Sequence, residues 1–156
     1  MKTHTTLGYF FAFIILTGCV SLGDPYDSIE SIPPGKALLY MYRLKAFAGG
    51  GVQFDMHVND KLVCVLANGG YYPYFIEPGK TTVWTRTEVK REVTFVAEAG
   101  NTYYIKGSVG FGIMVGRPVL TIVHADRANT EITSTQRIAD ITETDLKRRQ
   151  KEDDEF

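Results

Sequence analysis

The stretch VQFDMHVNDKLVCVL, residues 52–66, decides the fold. Val52, Phe54, Met56 and Val58 alternate with Gln53, Asp55 and His57, the period-2 pattern of a strand with one buried face. Asn59 and Asp60 tolerate the positive φ of a tight turn, and an apolar run follows at 62–66. The stretch therefore reads as a β-hairpin.

Outward from this hairpin the same grammar repeats. ALLYMYR (37–43) precedes it and NGG (68–70) breaks the chain after it. YYPYFI (71–76) is strand-like but contains Pro73, which places it at a sheet edge. EPGK (77–80) suits a type II turn, with Pro78 presetting φ and Gly79 supplying φ > 0. TTVWTRT (81–87), REVTFVA (91–97), TYYIKGSV (102–109) and PVLTIVH (118–124) complete about eight candidate strands, with EAGN (98–101) as a further turn. Short strands at this spacing, without helices between them, indicate an all-β sandwich or barrel.

The flanks differ. Lys2, the apolar run from Leu7 to Leu16 and the small residues Thr17 and Gly18 form a secretory signal over residues 1–18. The apolar block is too short to cross a bilayer, which needs about 20 residues. Leu16-Thr17-Gly18-Cys19 resembles the bacterial lipobox. That resemblance implies lipid attachment at Cys19 and cleavage between Gly18 and Cys19. Val20, rather than Asp, implies sorting to the outer membrane, facing the periplasm, in a Gram-negative cell. Two or three acyl chains hold stably where one holds only marginally. Residues 19–35, with three prolines and no periodic apolar face, read as a flexible tether. Residues 36–125 form the expected domain. Residues 126–156 read as a polar, charged tail with at most one short helix, N-capped by Thr142 or Thr144.

Composition narrows the function classes. The 156 residues carry 17 basic and 18 acidic side chains. A net charge of −1 supplies no basic excess for phosphate backbones, so nucleic acid is not an expected partner. With Cys19 acylated, Cys64 has no disulfide partner and reads as a small buried hydrophobe.

GKALLYMYRLKAFAGGG (35–51), HVNDKLVCVL (57–66), GGYYPYFIEPGKTTV (69–83), AGNTYYIKG (99–107) and VGRP (115–118) occur in an order that resembles a family of small bacterial lipoproteins known only as a domain of unknown function. Residues 57–83 also resemble the PEGA type of surface β-domain. The resemblance implies an antiparallel β-sandwich of about seven to eight strands, Ig-like or transthyretin-like, and no established activity.

Chemistry-bearing motifs are sparse. His57 and His124 lie on different strands and read as solvent-facing, so no metal site is expected. No GxSxG accompanies a strand–turn–helix. Glu88, Glu92 and Glu98 fall on strand faces and turns rather than across a cleft. The expectation is a non-catalytic domain without a cofactor. Two groups of candidate interaction residues remain. The glycine-rich segments AFAGGGV (46–52) and GSVGFGIMVGRP (107–118), placed at one end of the sandwich, would present Phe47, Phe111, Ile113, Met114 and Arg117 to an envelope protein or to a membrane. Tyr71, Tyr72, Tyr74 and Trp84 would offer an aromatic face to a glycan such as peptidoglycan.

Overall fold

The computed structural model describes residues 22–87, 89–110 and 116–154. Cys19 and the whole lipobox, Glu88, Phe111, Ile113 and Met114 lie outside the described residues.

Ten strands and two helices follow one another along these residues. The strands are β1 (Leu22–Pro25), β2 (Ala37–Tyr42), β3 (Phe54–Val58), β4 (Lys61–Leu66), β5 (Gly70–Ile76), β6 (Gly79–Arg86), β7 (Lys90–Ala97), β8 (Thr102–Gly110), β9 (Arg117–Ile122) and β10 (Gln136–Ile138). Helix α1 (Ala125–Ile132) lies between β9 and β10, and α2 (Glu143–Asp154) follows β10. One sheet has the order β1-β10-β5-β2-β8-β9 and the other β4-β3-β6-β7. The fold is an all-β sandwich.

The hairpin forms as its alternation dictates. Asn59 takes a φ of +54°, and β3 and β4 pair antiparallel with a bulge after Met56. Phe54, Met56 and Val58 face inward and meet Leu39, Met41, Ile76, Val83 and Ile105 in the core between the sheets. Burying each such side chain contributes about 1.5–3 kcal/mol.

The larger sheet is mixed, a correction to the all-antiparallel expectation: β2 runs parallel to β8, and β10 parallel to β5. Immunoglobulin domains divide their strands ABED and CFG. Lettering β2 to β9 as A to H gives C-B-E-F and D-A-G-H here. That division is not the immunoglobulin one, and the first and seventh strands run parallel.

β2 is buried along its entire length. Its inner residues enter the core, while Leu38, Tyr40 and Tyr42 enter a second apolar cluster on the outer face. The segments read as tether and tail build that cluster. Tyr26, Ile29 and Ile32, spaced three apart, pack on it together with Ala128 and Ile132 of α1. The Ile29 amide donates to Tyr40 Oη at 2.9 Å, and the Tyr26 amide to the Thr135 carbonyl at 3.0 Å. β1 then pairs with β10. Residues 22–32 are therefore a strap rather than a flexible tether, and residues 125–138 are an integral layer rather than a loose tail.

Thr142 caps helix α2: its hydroxyl accepts from the Asp145 amide and donates to the Asp145 carboxylate. Arg149 Nη1 meets Asp55 Oδ1 at 2.6 Å, which ties α2 to the outer face of the smaller sheet. Pro73 sits where its missing N–H costs least. β10 pairs with β5 only at Gly70 and Tyr71, so β5 is a sheet edge from Tyr72 onward, as its proline requires.

Candidate functional site

The two glycine-rich segments come together. β2 and β8 run parallel, so the loop after β2 and the turn after β8 leave the same end of the sandwich, here called the loop end. Val109 of β8 is the point of contact. Gly49 has a φ of +71°, and a Cβ there would lie 2.8 Å from Val109 Cβ. A Cβ at Gly116 would lie 2.1 Å from Val109 Cγ1. Only glycine permits both approaches.

A buried cation fixes the first loop. Arg43 directly follows β2 and has 2% of its surface exposed. Its Nη2 donates to the Gly49 carbonyl at 2.7 Å, and its Nη1 to the Val52 carbonyl. Its guanidinium lies 5.0 Å from the Phe54 ring centre. Burial lowers its pKa from the usual arginine value. Asn68 reinforces the same loop by accepting from the Ala46 amide and donating to the Ala46 carbonyl.

Phe47 stands at the tip of this organised loop, with a relative exposure of 105%. Its phenyl ring is fully in water on a loop that a buried arginine holds. Arg117 opens β9 opposite Gly110, and its Nε is buried without a hydrogen-bond partner among the described residues.

The aromatic candidates do not share a face, because side chains alternate along a strand. Tyr71 points to the outer face of its sheet, 2% exposed, with its ring 5.1 Å from Tyr26. Tyr72 and Tyr74 point inward and pack against the core; the Tyr72 hydroxyl donates to Asp140 at 2.8 Å. Trp84 belongs to the other sheet. It stacks on His57 with ring centres 3.7 Å apart and planes inclined by 7°, donates to the Asn59 carbonyl, and carries Lys90 over its ring. His57 is therefore 3% exposed, a correction to its solvent-facing expectation.

His124 is exposed beside Asp126 and caps the start of α1, a correction to its expected place on a strand, because β9 ends at Ile122. Glu92 pairs with Lys90, and Glu98 accepts from the Asn101 side chain. Among the described residues no group of three or more His, Cys, Asp or Glu side chains is arranged to hold a metal. Cys64 is fully buried, and burial, followed by the charge of Asp55, pushes its thiol pKa up.

At the opposite end, where β2 and β8 begin, a cleft of about 550 Å³ lies between the sheets, lined by Lys36, Lys61, Tyr74, Glu77 and Lys80. Lys36 pairs with Glu77 across it.

The main polar cluster that sequence reasoning missed holds α1. Glu131 accepts from Tyr42 Oη at 2.7 Å, Lys106 Nζ at 2.9 Å and Arg127 Nε at 2.7 Å. Burial alone would raise its pKa, but the three donors outweigh it and hold the carboxyl at about 2. Only Arg127, four residues before Glu131 on the same helix, could be read from spacing; Tyr42 and Lys106 come from β2 and β8.

No curated protein and no solved structure matches the chain. A family profile described as protein of unknown function (DUF2846) matches residues 33–117, which run from the end of the strap to the start of β9. The match spans more than half of the sequence and includes residues 46–52 and 107–117 of the glycine-rich segments, and the chain belongs to this family.

Proposed function

We propose that the protein is a lipid-anchored component of a bacterial cell envelope, attached through Cys19 after loss of residues 1–18, and that its sandwich serves protein interaction rather than catalysis. In a Gram-negative cell it would face the periplasm from the outer membrane. The observation that carries the interaction reading is Phe47, fully exposed on a loop that Arg43 and Val109 hold in place. Order matters here, because a preorganised contact residue loses little entropy on binding. Burying its ring against a partner is worth roughly 1.5–3 kcal/mol. The alternative, a glycan on an aromatic face, retains little support once Tyr71, Tyr72, Tyr74 and Trp84 are distributed over three different surfaces.

The anchor is tested by the intact mass of the mature chain and by fractionation. The expected species begins at Cys19, carries acyl chains and sediments with membranes, while Cys19→Ala releases the protein. A wild-type chain of unlipidated mass, or a variant that still fractionates with membranes, refutes the anchor.

A further inference from the structure

The free edge of β9 carries an inference about self-association that does not depend on the anchor. β9 ends the larger sheet and pairs with β8 on one side. The Val123 amide donates to the Tyr104 carbonyl at 2.9 Å. Backbone groups alternate in direction along a strand, so Arg117, Val119, Thr121 and Val123 turn their N–H and C=O groups toward β8. The Leu38 amide, bonded to the Asn101 carbonyl, gives the same alternation from the other side of β8. Pro118, Leu120, Ile122 and His124 therefore turn theirs outward. Pro118 has no N–H to leave unpaired there. The His124 carbonyl already accepts from the Arg127 and Ala128 amides. What remains is the Pro118 carbonyl, both groups of Leu120 and Ile122, and the His124 N–H. Helix α1 leaves them open, because it turns back over β8 and joins Tyr40 and Tyr104. Edge strands are commonly guarded by charge. β7 carries Lys90, Arg91 and Glu92, whereas β9 has no charged side chain after Arg117. Its Val119 and Ile122 are 42% and 49% exposed.

We propose that this edge pairs with β9 of a second copy of the chain, antiparallel, with Thr121 of each copy beside the two-fold axis. This register uses every outward group. Leu120 faces Ile122 of the second copy and exchanges both hydrogen bonds with it, and symmetry repeats the exchange. The His124 N–H reaches the Pro118 carbonyl of the second copy. The donor that Pro118 lacks would have faced the His124 carbonyl, which α1 already occupies. An axis at Leu120 or Val119 would instead set Pro118 opposite a carbonyl of Ile122 or Leu120 and leave it without a donor. The side chains agree with the backbone. Val119 comes opposite Val123 and Ile122 opposite Leu120, so both exposed apolar groups gain apolar cross-strand neighbours, and Thr121 meets Thr121. Arg117 lies toward the acidic start of α1 at Asp126 of the second copy. The contact is isologous, and the two larger sheets become one.

The test is sedimentation velocity over a concentration series on the chain from residue 19 onward carrying Cys19→Ser, beside the same chain with Ile122→Lys, Thr121→Cys or Val119→Cys. The parent chain should pass from monomer to dimer as concentration rises. Ile122→Lys places a charge on the edge at an exposed position and should weaken the dimer about tenfold or more. Its unfolding midpoint should match the parent at dilutions where both are monomers. Thr121→Cys should give a cross-linked dimer on oxidation, because facing residues of a non-hydrogen-bonded pair have Cα atoms about 4.5 Å apart, within a disulfide's reach. Val119→Cys should not, because it faces Val123 and not its own mate. Cys64 does not interfere, being fully buried. A monomer at the highest soluble concentration overturns the proposal. So does a dimer that Ile122→Lys leaves equally tight, or one in which Val119→Cys cross-links as readily as Thr121→Cys.

Discussion

Replacing Gly116 with alanine tests whether the second glycine-rich segment returns onto Val109 as described. Its cost comes from one contact, a Cβ placed 2.1 Å from Val109 Cγ1, with Val109 Cβ next at 3.6 Å. Overpacking of this kind costs about 1–3 kcal/mol. Val109→Ala removes Cγ1 and leaves Cβ at an ordinary van der Waals distance. Val109 is only partly buried, so that single change costs ~1 kcal/mol. In the Val109→Ala background, Gly116→Ala should be close to neutral, giving a coupling of about 1–3 kcal/mol between the two sites. Gly49 supplies the internal control. Alanine there meets Val109 Cβ itself at 2.8 Å and must also adopt a φ of +71°, so Val109→Ala should not rescue it. The assay is urea denaturation of the mature chain carrying Cys19→Ser, followed through the fluorescence of Trp84, the single tryptophan. Equal costs for Gly116→Ala in both backgrounds would refute the packing of Gly116 against Val109.

Other outcomes follow from the polar groups. Glu131 has a folded pKa of about 2, below the ordinary carboxylate value, so its stabilisation is complete above the unfolded pKa and fades as pH falls toward 2. Glu131→Gln should cost ~2 kcal/mol at pH 7, kept modest by screening at the exposed Arg127 side, and little at pH 2. Denaturation midpoints at both pH values check this, and equal losses would contradict it. Arg43→Lys replaces a fork that reaches two carbonyls with a point donor, and should cost about 2 kcal/mol and release amide-exchange protection at Gly50 and Val52. Unchanged protection there would remove Arg43 as the organiser of the loop. Cys64 should resist maleimide in the native Cys19→Ser chain and react only with unfolding, as its buried, high-pKa thiol requires. Rapid native labelling would show that the core near Cys64 opens.

The strands that alternate or end in turn chemistry were legible in the sequence. Asn59 and Gly79 have the positive φ their turns require, and β3 buries the face that its spacing marks. β1 and β10 were not legible, because four and three residues hold no period, and their pairing partners lie more than a hundred positions apart. The strap escaped notice for a related reason: Tyr26, Ile29 and Ile32 bury one side of a segment that is neither helix nor strand. The aromatic candidates show the limit of residue type as a guide. Tyr71 and Tyr72 are neighbours in sequence yet face opposite sides of a sheet that is covered on both. His57 looked exposed by alternation, but cross-strand register sets Trp84 opposite it. The loop end was partly legible: the glycines marked close approaches, while Arg43, an arginine closing an apolar strand, gave no sign that it would be buried among carbonyls.

The central claim is that an anchored sandwich presents Phe47 to an envelope protein. Its most direct test is a photo-crosslinking residue at position 47 of the otherwise native protein in intact cells, with the same residue at Lys80 as the control. The account predicts one discrete envelope-protein adduct from position 47, absent from position 80 and diminished when Cys19→Ala frees the chain from the membrane. No adduct at 47, or the same adduct from both positions, would contradict it.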